Sequence, residues 1–313
     1  MNIECPIDVQ NLQGRLYHNE SLAKYTTWRV GGPAQWLYEP ADLTDLIAFL
    51  PKVPDSLPLF WLGLGSNLLI RDGGIRGVVI ATSGLLNEIK LLDNKMLRVE
   101  AGVSCAKVAK VTARENLGGA EFLAGIPGTM GGALAMNAGA WGGETWKLVQ
   151  AVETLDKMGT LRQRSPQDYE IGYRSVKSQF NEWFVAAILQ LIPNADASGQ
   201  QRIKELLARR NATQPIGLPS CGSVFRNPPG DYAARLIEQD GWKGYRLGGA
   251  CVSEKHANFI INENQATATE IEALIVKIQT SIAAHYGVQL VREVKIVGSH
   301  PLPLNNAVSL LKK

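Results

Sequence analysis

The residues best suited to chemistry in the first third of the chain form a short glycine loop, Gly63-Leu64-Gly65-Ser66-Asn67. Its backbone N–H groups and the side chains of Ser66 and Asn67 are the kind of donors that bind a phosphate. The loop is not a Rossmann fingerprint, because a third glycine and a following helix are missing, and no GxxxxGK phosphate loop occurs. Taken alone, the loop is explained equally well as an ordinary hairpin turn.

A second glycine-rich segment runs from Gly118 to Gly143 and contains nine glycines and six alanines with almost no charge. Glycine permits positive φ and close approach of the backbone to a ligand, and its entropic cost is tolerated where such geometry is needed. A flexible linker is the alternative, but linkers are polar and this segment carries Phe122, Leu123 and Met130. We therefore predict a buried loop that holds a ligand. Together with the first loop, it indicates a dinucleotide with a pyrophosphate.

Other reaction centres find less support in the sequence. The segment Ser104-Cys105-Ala106-Lys107 matches the SxxK pattern of acyl-transfer enzymes, but no SDN or KTG motif accompanies it, and Ser104 is explained as a helix cap. The four cysteines are far apart and form no CxxC pair or His–Cys cluster. This pattern predicts a reduced, cytoplasmic protein with neither a metal site nor a disulfide framework.

The elements that must position these loops read as a mixture of strands and helices. Residues 61–81 have the pattern strand, glycine loop, strand, and further strands are predicted at Met96–Ala101, Leu148–Leu155, Phe184–Ile192 and 288–297. Helices are predicted at Ser104–Asn116, Arg202–Asn211, Asp231–Gln239 and Thr267–Tyr286. The last helix has the clearest signals, since Thr267 and Glu270 form a capping box and Gly287 follows its end.

Composition sets the broad class of the protein. A chain of 313 residues with 45% hydrophobic and 19% charged residues is typical of a soluble globular protein with about two domains. The net charge of +3 is spread along the chain, so no nucleic-acid partner is expected. The sequence shows no signal peptide and no stretch of eighteen apolar residues, so no membrane association is expected either.

Six motifs make the chain resemble the UDP-N-acetylenolpyruvoylglucosamine reductase family of peptidoglycan synthesis. They occur in that family's order and cover roughly residues 15 to 300: TTWRVGGPA (26–34), GLGSNLLI (63–70), AGIPGTMGGALAMNAGA (124–140), GYRS (172–175), CGSVFRNP (221–228) and REVKIVG (292–298). The resemblance implies NADPH-dependent, FAD-mediated reduction of UDP-N-acetylglucosamine enolpyruvate to UDP-N-acetylmuramate. It also leads us to expect a monomer.

The resemblance implies an α+β fold with two domains. The first is a two-lobed FAD-binding domain of the vanillyl-alcohol-oxidase (PCMH) type at residues 15–200, with lobes at about 15–82 and 83–200, and the second is a smaller α+β substrate-binding domain at residues 201–302. Residues 1–14 and 303–313 are then an N-terminal extension and a C-terminal tail. The stretch from Arg174 to Ser223 is shorter than in family members that close a tyrosine-bearing loop over the substrate, so the chain resembles the second structural type, which lacks that loop.

Three catalytic residues are implied by the resemblance: Ser223 as proton donor, with Arg174 and Glu293 at the other two catalytic positions. Hydride transfer from reduced flavin N5 to the terminal enolpyruvyl carbon leaves a carbanion beside a carboxylate, so an acid and a cation are needed. Arginine can grip a carboxylate through two bonds. Ionised Glu293 would repel the enediolate, so we expect it to be protonated, with its pKa raised by burial, or hydrogen-bonded through a donor. On the residues alone, Ser223 is a turn cap, Arg174 a surface cation and Glu293 a polar position in a strand.

The resemblance also assigns binding residues. The expected FAD contacts lie in the two glycine-rich segments: Gly63, Gly65, Ser66, Asn67, Leu68, Gly125, Ile126, Pro127, Gly128, Gly131, Gly132, Asn137, Gly139 and Ala140. The expected substrate contacts are Arg210, for the UDP pyrophosphate, Asn227 and His256, although a lone histidine is more often structural. No histidine or cysteine lies in either glycine loop, so we expect FAD to be bound non-covalently.

Two rival functions remain open at this point. A different FAD oxidoreductase of the same superfamily would explain both glycine segments, but not the serine and glutamate motifs of the last third. A non-catalytic nucleotide-sugar sensor would keep the fold, but it would have no use for a proton donor directed at a carbanion.

Overall fold

The computed structural model describes residues 5–194 and 196–301, which divide into two compact units. The first unit comprises the residues up to Tyr17, Leu37–Leu64 and Val78–Ala212, and the second comprises His18–Trp36, Gly65–Gly77 and the residues from Thr213 onward. The predicted domain boundaries treat each domain as one continuous stretch, whereas these units are discontinuous. The predicted tail at 303–313 and the first four residues of the predicted extension lie outside the described residues.

The secondary structure is mixed, which agrees with the predicted α+β class. The strands within the described residues are β1 (Arg15–Ser21), β2 (Pro33–Glu39), β3 (Leu59–Leu62), β4 (Leu68–Ile70), β5 (Ile75–Ala81), β6 (Ile89–Leu91), β7 (Met96–Glu100), β8 (Leu117–Gly118), β9 (Gly139–Ala140), β10 (Gly143–Glu144), β11 (Val149–Asp156), β12 (Leu161–Arg164), β13 (Tyr169–Gly172), β14 (Ser175–Ser178), β15 (Glu182–Gln190), β16 (Ile192–Pro193), β17 (Arg246–Leu247), β18 (Ala250–Val252), β19 (Ile260–Asn262) and β20 (Lys295–Val297). The α-helices are α1 (Leu43–Phe49), α2 (Cys105–Arg114), α3 (Met130–Met136), α4 (Gly199–Thr213), α5 (Ala233–Gln239) and α6 (Ala268–Tyr286). Short 3-10 helices lie at Ala23–Tyr25, Leu50–Lys52, Asp93–Lys95, Glu121–Gly125, Thr145–Lys147 and Pro166–Asp168.

The first unit is organised around a five-stranded antiparallel sheet with the order β12-β11-β15-β7-β6. Its three central strands are those predicted at 96–101, 148–155 and 184–192, so these predictions are confirmed to within two residues. Helix α2 packs its apolar face into the same core, because Cys105, Val108 and Ala109 are fully buried. Ser104 caps this helix by accepting the Lys107 N–H at 3.2 Å, as predicted.

A separate sheet has the order β1-β2-β5-β3, in which β3 runs parallel to β5 with Leu59 opposite Val78 and Leu62 opposite Ala81. The sequence predicts strand, glycine loop, strand for residues 61–81, and the structure adds the short strand β4 between β3 and β5. Strand β4 pairs in parallel with β20 near the end of the described chain. Local pattern cannot report that pairing, because the two strands are more than two hundred residues apart.

The core of the second unit forms around α6. This helix has the predicted Thr267–Glu270 capping box and ends at Gly287, which adopts a left-handed φ of 66°. Its buried stripe of Ile271, Leu274 and Ile278 packs in one cluster with residues from 28–30 and from the loop that carries Ser223. Trp28 is fully buried there, and its Nε1 donates to the Ile260 carbonyl oxygen at 2.7 Å.

Two predictions of local structure in this unit are confirmed only in part. The strand predicted at 288–297 is limited to β20, because residues 291–294 bond irregularly with 224–226, while only 295–297 find the regular partner β4. The helix predicted to open at Asp231 begins at Ala233, whose N–H bonds to the Asn227 side-chain oxygen at 3.1 Å. The Asp231 carboxylate pairs with Arg235 instead.

The second glycine-rich segment folds into several short pieces. The 3-10 helix at Glu121–Gly125 is followed by α3 and by the small hairpin of β9 and β10. The segment is packed against the first unit's core through Phe122, Leu123 and Met130. The linker alternative is therefore wrong, since a flexible linker would not be buried. Among the described residues, no helix has both the length and the apolar character needed to cross a membrane.

A paired charge in the second unit yields a pH-dependent prediction. Arg71 donates from Nε and Nη2 to the two carboxylate oxygens of Glu272, each at 2.8 Å, and these bonds hold the pKa of Glu272 below its ordinary value of 4.5. A carboxyl with a lowered folded pKa stabilises the fold above pH 4.5 and loses that contribution as the pH falls through its folded pKa. We expect Glu272→Gln to lower the free energy of unfolding by about 1.5 kcal/mol at pH 7.

Thermal unfolding of both proteins from pH 7 to pH 3 measures this effect, and the difference between them should shrink at the acid end. Glu170→Gln is the control, because Glu170 pairs with Lys177 while its side chain is 75% exposed, and exposed pairs contribute little. A difference for Glu272→Gln that is independent of pH would contradict the assignment to this ion pair.

Candidate active site

Ser223 lies on a turn of the second unit whose backbone is held on both sides. Gly222 before it has a left-handed φ of 71°, and Val224 and Phe225 after it are buried. The amide of Asn258 bonds to both backbone groups of Phe225, at 2.9 and 2.8 Å, and the Val224 N–H donates to the Asn258 carbonyl oxygen at 2.9 Å. The half-buried serine therefore projects from a rigid frame rather than from a mobile loop.

Glu293 lies beside this turn. The order of the motifs in the sequence could not show this proximity. Its N–H donates to the Val224 carbonyl oxygen at 2.8 Å, and the Asn67 side chain donates to the Glu293 carbonyl oxygen at 3.1 Å. The Lys295 N–H completes the junction by donating to the Asn67 carbonyl oxygen at 3.0 Å. The second unit thus brings together two predicted catalytic residues, Ser223 and Glu293, and one predicted FAD contact, Asn67.

Cys221 connects the same turn to the first glycine loop. Its thiol is buried and lies 3.5 Å from the Gly65 carbonyl oxygen and 3.3 Å from that of Leu68, with the Thr27 hydroxyl at 3.5 Å. Burial raises the pKa of this thiol to about 12, so it stays protonated and acts as a packing group and a weak donor. The loop at 65–68 and the Ser223 turn are therefore one packed substructure of the second unit.

Arg174 occupies the tip of the hairpin formed by β13 and β14 in the first unit. Its φ of 53° is left-handed, which is uncommon for a residue other than glycine and marks a position that the surroundings must hold. One guanidinium nitrogen, Nη2, donates to the Gly139 carbonyl oxygen at 2.8 Å. The hairpin therefore joins the predicted arginine to the glycine-rich segment.

The two glycine-rich segments meet at Thr129 in the first unit. A Cβ at Gly63 would lie 2.6 Å from the Thr129 hydroxyl oxygen. A Cβ at Gly132 would meet the same oxygen only at an ordinary van der Waals distance. Thr129 is 2% exposed, and no described residue hydrogen-bonds to its Oγ1. A buried hydroxyl without a partner is costly unless a ligand satisfies it. Glycine backbone around an unsatisfied hydroxyl fits the diphosphate of FAD.

Several of the predicted FAD glycines are required by close packing of the protein itself. Gly65 has a φ of 64°, and a Cβ there would overlap the Tyr25 carbonyl oxygen. A Cβ at Gly125 would overlap the Trp141 ring, one at Gly139 would overlap the Gly143 carbonyl oxygen, and one at Gly131 would lie 3.0 Å from Ala101 Cβ. The remaining predicted contacts lie on loops and element ends next to these glycines and are exposed or half-buried: Ser66, Leu68, Ile126, Pro127, Gly128 and Ala140.

The three predicted substrate residues lie in different settings. Asn227 is exposed, but its side-chain oxygen caps α5, as described above. His256 is half-buried, and burial lowers its pKa, so the ring is neutral and its Nδ1 accepts the Asn258 N–H at 3.3 Å. Both residues therefore have structural partners. Arg210 is half-buried in the last turn of α4, and burial lowers its pKa.

Arg209, the residue before Arg210 in α4, lines an open groove of about 470 Å3 in the first unit, together with Trp141, Phe122, Glu121 and Arg202.

Among the described residues, no group of three or more His, Cys, Asp or Glu side chains could hold a metal ion.

Sequence reasoning missed two residues of this site. Thr129 lies inside a motif that was recognised, but a threonine among glycines carries no signal of its own until its hydroxyl is seen to be buried. Asn258 lies in the same SEKHANFIIN stretch as His256, and a polar residue before the apolar run FII was the only available hint. Its bonds to Phe225 cross 33 positions of sequence.

Comparison with known proteins gives one consistent answer. A family model described as "UDP-N-acetylenolpyruvoylglucosamine reductase, C-terminal domain" matches residues 214–297, and one described as "FAD binding domain" matches residues 34–165. The chain is 58% identical to the UDP-N-acetylenolpyruvoylglucosamine reductase of Alkalilimnicola ehrlichii over 285 residues, which cover 91% of this chain and 95% of that protein. The reductase of Legionella pneumophila strain Corby is 57% identical over 291 residues, covering 93% and 94%.

A solved structure agrees with these relatives. The crystal structure of UDP-N-acetylenolpyruvylglucosamine reductase from Thermus caldophilus is similar with a TM-score of 0.78 at 32% identity, and the match covers 91% of this chain and 99% of that one. The predicted fold is confirmed in its mixed helix and strand content and in its FAD-binding domain followed by a separate C-terminal domain.

Proposed function

The chain belongs to the UDP-N-acetylenolpyruvoylglucosamine reductase family of FAD oxidoreductases, and from that premise we propose that it reduces UDP-N-acetylglucosamine enolpyruvate to UDP-N-acetylmuramate at the expense of NADPH. FAD bound here would accept a hydride from NADPH and, in its reduced form, would supply one to the terminal carbon of the enolpyruvyl group. The reaction then needs one proton at the neighbouring carbon, which bears the carboxylate.

Ser223 donates that proton from its Oγ. An ordinary hydroxyl is a weak acid, but a carbanion is a far stronger base than an alkoxide, so the transfer runs downhill. The hydroxyl must lie within hydrogen-bond reach of the carbon in the complex. Support for this role comes from the frame around Ser223, where the backbone of Val224 and Phe225 is fixed by hydrogen bonds to the carbonyl oxygen and the side-chain amide of Asn258. This rigid presentation of one hydroxyl is the observation that carries the proposal.

Arg174 and Glu293 act on the charge that develops. Arg174 binds the substrate carboxylate and stabilises the negative charge that spreads onto it during reduction. We propose that Glu293 takes part either protonated or hydrogen-bonded through a donor, since a second bare carboxylate would repel that charge. Its place beside Val224 puts it next to the Ser223 turn, which supports a joint role in proton delivery.

The residues that hold FAD are the two glycine-rich segments and Thr129. The buried Thr129 hydroxyl, which has no partner among the described residues, would donate to a phosphate oxygen of FAD beside the side-chain-free backbone of Gly63 and Gly132. We further propose that Ser66 and Asn67 contribute donors and that FAD is bound non-covalently.

A different FAD oxidoreductase and a nucleotide-sugar sensor are the alternatives, and purified protein distinguishes them. We expect a yellow protein whose flavin absorbance is bleached by NADPH under argon. Stoichiometric UDP-N-acetylglucosamine enolpyruvate should then restore the colour and form UDP-N-acetylmuramate. A sensor would bind the sugar nucleotide without reoxidising the flavin. A different oxidoreductase would neither bind nor reduce the sugar nucleotide.

We also propose that the protein acts in the cytoplasm as a monomer, with Arg210, Asn227 and His256 near the substrate. The structural roles of Asn227 and His256 limit what their side chains can offer. The Asn227 amide nitrogen and the second ring nitrogen of His256 are the atoms to test.

A further inference from the structure

We propose that Asn137 is a positioning residue that sets the geometry of Arg174. The inference deepens the proposed function and rests on it, because it matters only if Arg174 binds the substrate carboxylate. It also reassigns Asn137, which the sequence analysis placed among the FAD contacts.

The Asn137 side chain is committed to the protein itself. The residue is 3% exposed and ends α3 in a left-handed conformation with a φ of 42°. Its Oδ1 accepts the Trp146 N–H at 3.2 Å, and its Nδ2 donates to the Gly172 carbonyl oxygen at 3.1 Å and to Glu144 Oε2 at 3.3 Å. Both amide hydrogens therefore have protein acceptors, so a flavin contact through Nδ2 would have to displace one of them.

Gly172 is the last residue of β13, directly before the two-residue tip of the hairpin. It pairs with Ser175 across the tip, which leaves Tyr173 and Arg174 as the turn. The Asn137 bond therefore fixes the carbonyl group that immediately precedes the turn. Arg174 itself donates to Gly139, two residues after Asn137. One short stretch, 137–139, thus holds both the base of the turn and the guanidinium.

Apolar packing anchors the hairpin away from its tip, where Tyr169 and Val176 pack against the first unit's core. It contributes little at the tip itself, because Ile171 and Tyr173 are 37% and 61% exposed. The left-handed backbone of Arg174 must nevertheless be maintained against its conformational cost. A directional hydrogen bond from a buried, immobile amide is suited to this task, because it constrains both position and orientation.

The test is a double-mutant cycle on the FAD-loaded protein. Asn137→Gly keeps a residue that tolerates left-handed φ and removes the whole side chain with its bonds to Gly172, Trp146 and Glu144. We expect it to retain FAD and to be reduced by NADPH at the normal rate, while kcat for the enolpyruvyl substrate falls about tenfold to a hundredfold, the scale of a misplaced binding group. In an Arg174→Ala background, the same change should lower kcat by less than about twofold, since residues that act as a unit are not additive.

Lys177→Ala is the matched control on the same hairpin, because it removes an exposed ion pair with Glu170 and leaves the Asn137 contacts intact. It should turn over normally. Asn137→Asp is the second variant if Asn137→Gly does not fold. It preserves size and left-handed tolerance but places a carboxylate against the Gly172 oxygen and Glu144, so it should show the same loss of kcat.

Two results would overturn the inference alone. Loss of FAD from Asn137→Gly would mean that Asn137 is a cofactor contact. If Asn137→Gly lowered kcat as much in the Arg174→Ala protein as in the unaltered protein, Asn137 would act independently of Arg174. Normal turnover of Arg174→Ala would instead remove Arg174 from the proposed function, and the positioning role of Asn137 would fall with it.

Discussion

Ser223→Ala should reduce turnover by about a hundredfold or more while leaving the flavin fully loaded and reducible by NADPH. The expected size follows from the loss of general acid catalysis, which contributes about 10²–10⁴ in rate. The flavin half-reaction should be spared, because the substitution removes one oxygen and leaves the bonds of Asn258 to Phe225 in place. Stopped-flow absorbance separates the two half-reactions, since reduction by NADPH bleaches the flavin and the enolpyruvyl substrate restores it.

Ser220→Ala is the appropriate control for this experiment. It removes a hydroxyl from the same segment, three residues earlier, at a position whose backbone bridges to Ile261. It should turn over normally. If Ser223→Ala also reoxidised its flavin at the normal rate, Ser223 would not be the proton donor, and the frame around it would need another explanation.

Gly65→Ala should weaken the binding of FAD. The left-handed φ of 64° alone costs an alanine about 1–2 kcal/mol. The added Cβ would also overlap the Tyr25 carbonyl oxygen and lie 2.8 Å from Thr26 Cα, which are backbone atoms that cannot rotate away. The loop must therefore move, and Ser66 and Asn67 move with it. We expect the affinity for FAD to fall at least about tenfold, equivalent to about 1.4 kcal/mol, as measured by flavin content after gel filtration and by titration of the apoprotein.

Gly84→Ala isolates the conformational part of that effect. Gly84 has a comparable φ of 75°, but a Cβ there would meet nothing within 4 Å. This variant should lose stability without losing FAD. Equal loss of FAD from both variants would mean that general destabilisation, and not the geometry of the 65–68 loop, controls cofactor retention.

Local sequence pattern indicated the glycine-rich segments, because glycine is required where the backbone has positive φ or packs closely. Ser223, Arg174 and Glu293 were identified only through the resemblance of their motifs to a family that the comparisons confirm, and their catalytic roles stay predictions. The roles of polar side chains were harder to predict. The resemblance assigns Asn137 and Asn227 as ligand contacts, and the structure shows in addition that side-chain atoms of both hydrogen-bond to the protein backbone. Such partners depend on which segment packs against the side chain.

By itself, the sequence determined the elements and the family. Capping residues, glycine stops and apolar periodicity act over a few positions, so α2, α6 and the central strands of the five-stranded sheet were predictable from short windows. Only the tertiary structure decided that 65–77 folds with the residues after 213, that Asn258 and Asn67 frame Ser223 and Glu293, and that Thr129 is left with an unsatisfied hydroxyl. The contacts around Ser223 and Glu293 are hydrogen bonds between segments 30 to more than 200 residues apart. Such pairings are selected by the packing of the whole core rather than by any local pattern.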